Sequence, residues 1–93
     1  MTEVTGKYFL TLVPVYGEVF HITNTALRKV DILNLTDDFI WVSDNADFTT
    51  DGVTADYICI PPEMAVNGIN IASVGLYIKS WSAEGDIVVM GAA

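Results

Sequence analysis

The sequence predicts an all-β protein, a single antiparallel β-sandwich of jelly-roll or immunoglobulin-like type with about seven to eight short strands. Three observations predict it. Val, Ile and Thr supply 29 of the 93 residues, against 14 for Leu, Glu, Lys, Arg and Gln together, so strand formers far outnumber helix formers. Short apolar runs recur between clusters of Gly, Pro, Asn, Asp and Ser, and no segment sustains a helical period. Finally, 52% hydrophobic residues are too many for a disordered chain, and 93 residues fill one core, so 1–93 is read as one domain.

The elements follow in order. A first strand covers 8–15, with Tyr8, Leu10 and Leu12 on one face and Pro14 confining its end to an edge or bend. Gly17 marks the turn into a second strand over 18–23, and Asn24-Thr25 the turn into a third over 28–35. Thr36-Asp37-Asp38 is a turn cluster, which predicts a hairpin between the third strand and a fourth over 39–43. The polar stretch 44–56 reads as an excursion between sheets. Residues 57–60 read as a short buried strand stopped by Pro61-Pro62. After 63–68 come strands at 69–71, 76–79 and 86–90; the turn Ser82-Ala83-Glu84-Gly85 predicts a terminal hairpin between the last two. Residues 1–24 read as an extra edge strand or an assembly arm.

Charge narrows the functions. Four Lys and Arg against twelve Asp and Glu give a net charge of −8, the wrong sign for a phosphate backbone or an anionic membrane. Asp31, Asp37, Asp38, Asp44, Asp47, Asp51, Asp56 and Glu63 lie between Lys29 and Lys79 with no basic residue among them, while charges elsewhere cancel. This acidic stretch reads as a solubilising, mutually repelling surface. No apolar run approaches the roughly 18 residues of a membrane span, and no secretory leader is evident. Partners are therefore expected to include neither nucleic acid nor membrane.

Chemistry is sparse. The single histidine, His21, lies in the expected second strand among Val19, Phe20 and Ile22, where a structural role outweighs a catalytic one. Cys59 alternates with Ile58 and Ile60 before two prolines and reads as a small core or interface hydrophobe; a lone cysteine also closes no internal disulfide. Neither zinc spacing nor a glycine-rich phosphate loop occurs. Asp47 to Gly52 alternates oxygen side chains as a calcium loop does, but Ile58 stands where the bidentate Glu belongs. No catalytic residue, metal or cofactor is expected. Asn34-Leu35-Thr36 has the form of a glycosylation sequon and reads instead as a strand end. Trp41, Trp81, Tyr16 and Tyr57 could form a stacking platform for sugars or peptides, though aromatics in a small sandwich more often serve core or subunit contacts.

Residues 28–90 resemble the small β-sandwich virion proteins of tailed bacteriophages. The resemblance rests on the strand ending Asn34-Leu35-Thr36, on FIWVSDNADF at 39–48, on YICIPP at 57–62, and on GLYIKSWSAEGDIVVM at 75–90. It implies a non-enzymatic structural protein of the virion, most simply a capsid decoration or cement component that contacts capsid or other virion proteins. A tail, collar or fibre component is the near alternative, and a carbohydrate- or peptide-binding sandwich the more distant one. Composition independently favours assembly into a homo-oligomer or larger array, because a small, surface-rich protein carries only sixteen charged residues. Expected contact residues are Tyr8, Leu10 and Leu12 on the N-terminal strand and Tyr77 and Trp81 near the terminal hairpin.

Overall fold

The computed structural model describes residues 2–5, 9–23, 28–44, 57–70 and 75–92, and it is a β-sandwich. Among the described residues nine strands make two sheets: β1 (Thr2–Thr5), β2 (Phe9–Leu12), β3 (Val19–Thr23), β4 (Lys29–Thr36), β5 (Ile40–Ser43), β6 (Ile58–Ile60), β7 (Ala65–Asn70), β8 (Leu76–Ser80) and β9 (Gly85–Ala92). The five-stranded sheet has the order β1-β3-β8-β5-β6 and the four-stranded sheet β2-β9-β4-β7. Strands β2 to β9 form four nested antiparallel pairs, β5 with β6, β4 with β7, β3 with β8 and β2 with β9. Ladders between β4 and β9 and between β5 and β8 then join the pairs into two sheets. This is one long hairpin rolled up, the jelly-roll alternative of the two topologies expected.

The core follows from period-two alternation. Ile22, Ile32, Ile40, Ile60, Ile78, Ile87, Val30, Val42 and Val89 are all fully buried between the sheets. Their branched side chains have few rotamers to lose, and each such burial stabilises by about 1.5–3 kcal/mol. Two glycines are required by close backbone approach. At Gly85 (φ 88°) a Cβ would stand 2.1 Å from the Leu35 carbonyl oxygen, and at Gly75 (φ 87°) 2.3 Å from that of Ile22.

Several local expectations need correction. The predicted hairpin of the third and fourth strands, here β4 and β5, does not form, because β4 pairs with β7 and β9 while β5 pairs with β6 and β8. The predicted terminal hairpin of β8 and β9 fails likewise, since those strands are central to opposite sheets. In both cases the short connection crosses the gap of about 10 Å between sheets, a span that three or four extended residues cover as readily as they close a hairpin. Conversely, 44–56 was expected to pass between sheets, yet it joins β5 to β6, neighbours within one sheet; residues 45–56 lie outside the described residues. Of the expected buried strand 57–60, only Ile60 is buried, because β6 is a sheet edge. Strand β7 begins at Ala65, four residues before the expected strand at 69–71, and Ile71 lies outside the described residues, as do Asn24 and Thr25.

The N-terminal segment supplies two edges. β2 borders the four-stranded sheet, and β1, not foreseen from sequence, lies parallel to β3 at the border of the other.

One end of the sandwich is tied together by polar side chains. Asn34, fully buried on β4, donates from Nδ2 to the carbonyl oxygens of Asp38 (2.8 Å) and Ile60 (2.9 Å), linking the two sheets. Its Oδ1 accepts from Thr36 N–H at 2.9 Å and lies 2.6 Å from the Thr36 hydroxyl. Ser82 Oγ donates to the Asp37 carboxylate and accepts from Glu84 N–H at 2.9 Å, so the β8–β9 crossing is fastened to the β4–β5 crossing.

Candidate functional site

The five expected contact residues do not share one surface. Leu12 is a core residue, 5% exposed, and Leu10 packs partly buried against the core. They share a face of β2 as predicted, but that face points inward. Tyr77 is buried with its ring stacked on His21, centroids 4.2 Å apart, on the outer side of the five-stranded sheet. Trp81 is half-buried on that same side, and Tyr8 lies outside the described residues.

Exposed apolar surface is concentrated elsewhere, at the end of the sandwich where four connections meet: 13–18, 37–39, 61–64 and 81–84. Hydrogen bonds hold them side by side. Gly17 N–H donates to the Ser80 carbonyl (2.9 Å), Glu63 N–H to the Asn34 carbonyl (2.7 Å), and Ser82 joins Asp37. Nine large hydrophobic residues are exposed among the described residues, and five of them, Val13, Val15, Tyr16, Phe39 and Met64, lie on these connections. Exposure reaches 68% at Val13 and Tyr16, where connections would ordinarily be polar. Composition carried a hint of this in Val13-Pro14-Val15-Tyr16. The hint was obscured because the run continues a strand and reads as part of it; Pro14 is buried while its apolar neighbours are not.

An aromatic run leads away from this end across the outer face of the five-stranded sheet. Tyr16 meets Trp81 edge-on at 5.8 Å, Trp81 meets Trp41 edge-on at 5.5 Å, and Trp41 stacks on Tyr57 at 4.8 Å. Lys79, the cross-strand partner of Trp41, holds its ammonium 4.6 Å from the centre of the Trp81 ring. Trp41, Tyr57 and Trp81 are half-buried while Tyr16 is exposed, and such ring pairs are worth about 0.5–1.5 kcal/mol beyond burial. Trp81 Nε1–H is buried and meets no acceptor among the described residues.

The remaining candidates, His21 and Cys59, both lie on strands of the five-stranded sheet. His21 lies flat against Tyr77. Cys59 is exposed rather than core, because β6 is an edge and Cys59 faces outward beside Trp41. Partial desolvation pushes its thiol above the ordinary range, a hydrogen bond with Trp41 opposes this, and the Asp38 carboxylate adds to it. Among the described residues no three His, Cys, Asp or Glu side chains converge as metal ligands, and the Asp47 to Gly52 stretch lies outside them. At the opposite end a cleft of about 280 Å³ opens between the sheets, lined by Val42, Tyr57, Ile58, Ile69 and Leu76 with Ser43, Asp44 and Asn70. Comparison with protein-family models, with curated proteins and with solved structures finds no match.

Proposed function

We propose that the chain is a non-enzymatic structural protein of a tailed-phage virion, a capsid decoration or cement component that works by burying surface against capsid or other virion proteins. One observation carries the reading: five large apolar side chains stand exposed on connections at a single end of the sandwich. Scattered exposed hydrophobics need no explanation, but a cluster on hydrogen-bonded loops marks a contact surface. The jelly roll supports the same reading by analogy, since such double sheets serve in viral capsids and also in lectins. A tail, collar or fibre position would use the same surface.

The test is co-sedimentation of the purified chain with tailed-phage capsids lacking decoration. Binding is expected, and is expected to be lost in Val13→Ser with Val15→Ser, two exposed positions whose change leaves the core intact. Absence of binding by the parent chain would overturn the reading, and imaging of labelled protein would separate capsid from tail. The aromatic run from Tyr16 to Tyr57 favours one second reading, a carbohydrate- or peptide-binding module. Specific retention on a glycan array, lost in Trp81→Ala, would favour it over assembly.

A further inference from the structure

The apolar end face has a charge as well as a shape. The four connections that build it carry Glu18, Asp37, Asp38, Glu63 and Glu84, and no Lys or Arg. Asp37, Asp38, Glu63 and Glu84 are exposed around the exposed Val13, Val15, Tyr16, Phe39 and Met64. Leu35, Asp37, Pro62, Glu63, Glu84 and Gly85 line one shallow hollow, which puts carboxylates from three different connections on the same rim. Arg28 and Lys29 lie at the far end of β4, across the sandwich from this face.

An apolar centre with a rim of predominantly negative charge, Lys79 lying to its side against the Trp81 ring, selects its partner. A second copy brought face to face would set carboxylate against carboxylate, so self-pairing here is opposed by the same charges that would steer an opposite surface in. We infer that the end face built by 13–18, 37–39, 61–64 and 81–84 docks a different protein, one presenting an apolar patch ringed by Lys and Arg. This deepens the assembly reading and rests on it: the apolar residues supply contact area, and the carboxylates choose the partner and its orientation.

The experiment uses undecorated capsids as the probe and compares the parent chain with Glu63→Lys/Glu84→Lys, with Lys29→Glu at the opposite end, and with Val15→Ser, at 50 and 300 mM NaCl. Thermal melting first confirms that each variant is folded. The parent is expected to lose about tenfold in affinity between the two salt concentrations, since exposed charges about a Debye length apart are largely screened at the higher one. Reversal at Glu63 and Glu84 is expected to cost at least as much, and Lys29→Glu nothing. Parent binding that is indifferent to salt and to the Glu63/Glu84 reversal would overturn this inference while leaving the assembly reading intact; no binding by the parent would overturn both. Sedimentation of the chain alone decides the rival occupant. A dimer that strengthens with salt and dissociates in Val15→Ser would make a second copy the partner and defeat the proposal.

Discussion

Replacing Asn34 by leucine removes the side chain that joins the two sheets and puts an apolar group of similar size in its place. Burial alone would make the change favourable by about 1.5–3 kcal/mol, because position 34 is fully enclosed. The hydrogen bonds decide otherwise. Without Nδ2 the buried Ile60 carbonyl loses its side-chain donor, and without Oδ1 the Thr36 N–H loses its acceptor; the Asp38 carbonyl keeps the Thr36 hydroxyl at 2.7 Å. Two groups orphaned at about 1–3 kcal/mol each, plus the lost inter-sheet link at about 1 kcal/mol, outweigh the apolar gain. The expected net loss is about 1–4 kcal/mol, a large part of the 5–15 kcal/mol of a typical domain, or a fall in Tm of about 5–25 °C. Asn34→Asp sharpens the test, since it keeps the shape but forfeits both donors when ionised. Its carboxyl pKa is raised by burial in the folded state, so this variant is most stable below the unfolded value of about 3.9 and loses stability as pH rises through the folded pKa. Thermal and urea melts of the parent and both variants between pH 3.5 and 7.5 supply the measurement. A Tm for Asn34→Leu equal to or above that of the parent, or an Asn34→Asp variant no less stable at pH 7.5 than at pH 3.5 relative to the parent, would show that Asn34 is not the link described.

Three further outcomes are expected. Gly85→Ala should lower stability by about 1–3 kcal/mol by urea unfolding, because its φ of 88° and the Leu35 carbonyl at 2.1 Å leave no room for a methyl group; an unchanged midpoint would refute the required close approach. Glu63 holds φ at 62° in the Pro61-Pro62-Glu63-Met64 turn, closed by Met64 N–H to the Pro61 carbonyl at 3.3 Å, so Glu63→Asn should raise Tm by a few degrees as the strain of about 1 kcal/mol is relieved. Cys59, exposed yet with its thiol pKa raised, should alkylate more slowly than a free model thiol at pH 7.5 and accelerate up to a midpoint above the ordinary thiol value, because the thiolate is the reacting species; a rate equal to the model thiol would contradict the desolvation beside Trp41.

The strands were legible where alternation is strong. Val19 to Thr23 buries every second residue, as its sequence suggests; Lys29 to Thr36 does so against an imperfect apolar alternation, with Asn34 and Thr36 facing the core and Leu35 exposed. What alternation does not encode is which strand lies beside which. Thr36-Asp37-Asp38 and Ser82-Ala83-Glu84 carry ordinary turn residues, and the same residues serve a crossing between sheets, where Asp37 and Ser82 hold each other rather than closing separate hairpins. Asn34 shows the limit most clearly. In sequence it reads as part of a strand end, and only the arrival of Ile60, 26 positions on, explains a fully enclosed polar side chain there. The exposed apolar end was less legible: the N-terminal strand was expected to make contacts through Tyr8, Leu10 and Leu12, whereas its exposed apolar side chains include Val13 and Val15, which Phe39 and Met64 join only through the rolled topology. Strand β7 was obscured because Ala65-Val66-Asn67-Gly68 has little strand propensity and is held by its ladder with β4.

The nested pairing also dictates when the molecule can exist during its own synthesis. The middle of each sheet is built from its latest elements: β8 separates β3 from β5, and β9 separates β2 from β4. As the chain leaves the ribosome from its amino end, β5 with β6 and β4 with β7 can meet early, but β2 has no ladder partner until β9 appears, and β3 has only the short β1 beside it until β8 appears. Both strands must wait with their apolar faces uncovered and the edge that later meets β8 or β9 unpaired, the state in which β-rich chains aggregate. The last strands of the sandwich to emerge, β8 and β9, thus join the two early hairpins into a closed core, and synthesis stopped short of β9 yields no partial product that keeps the core dry.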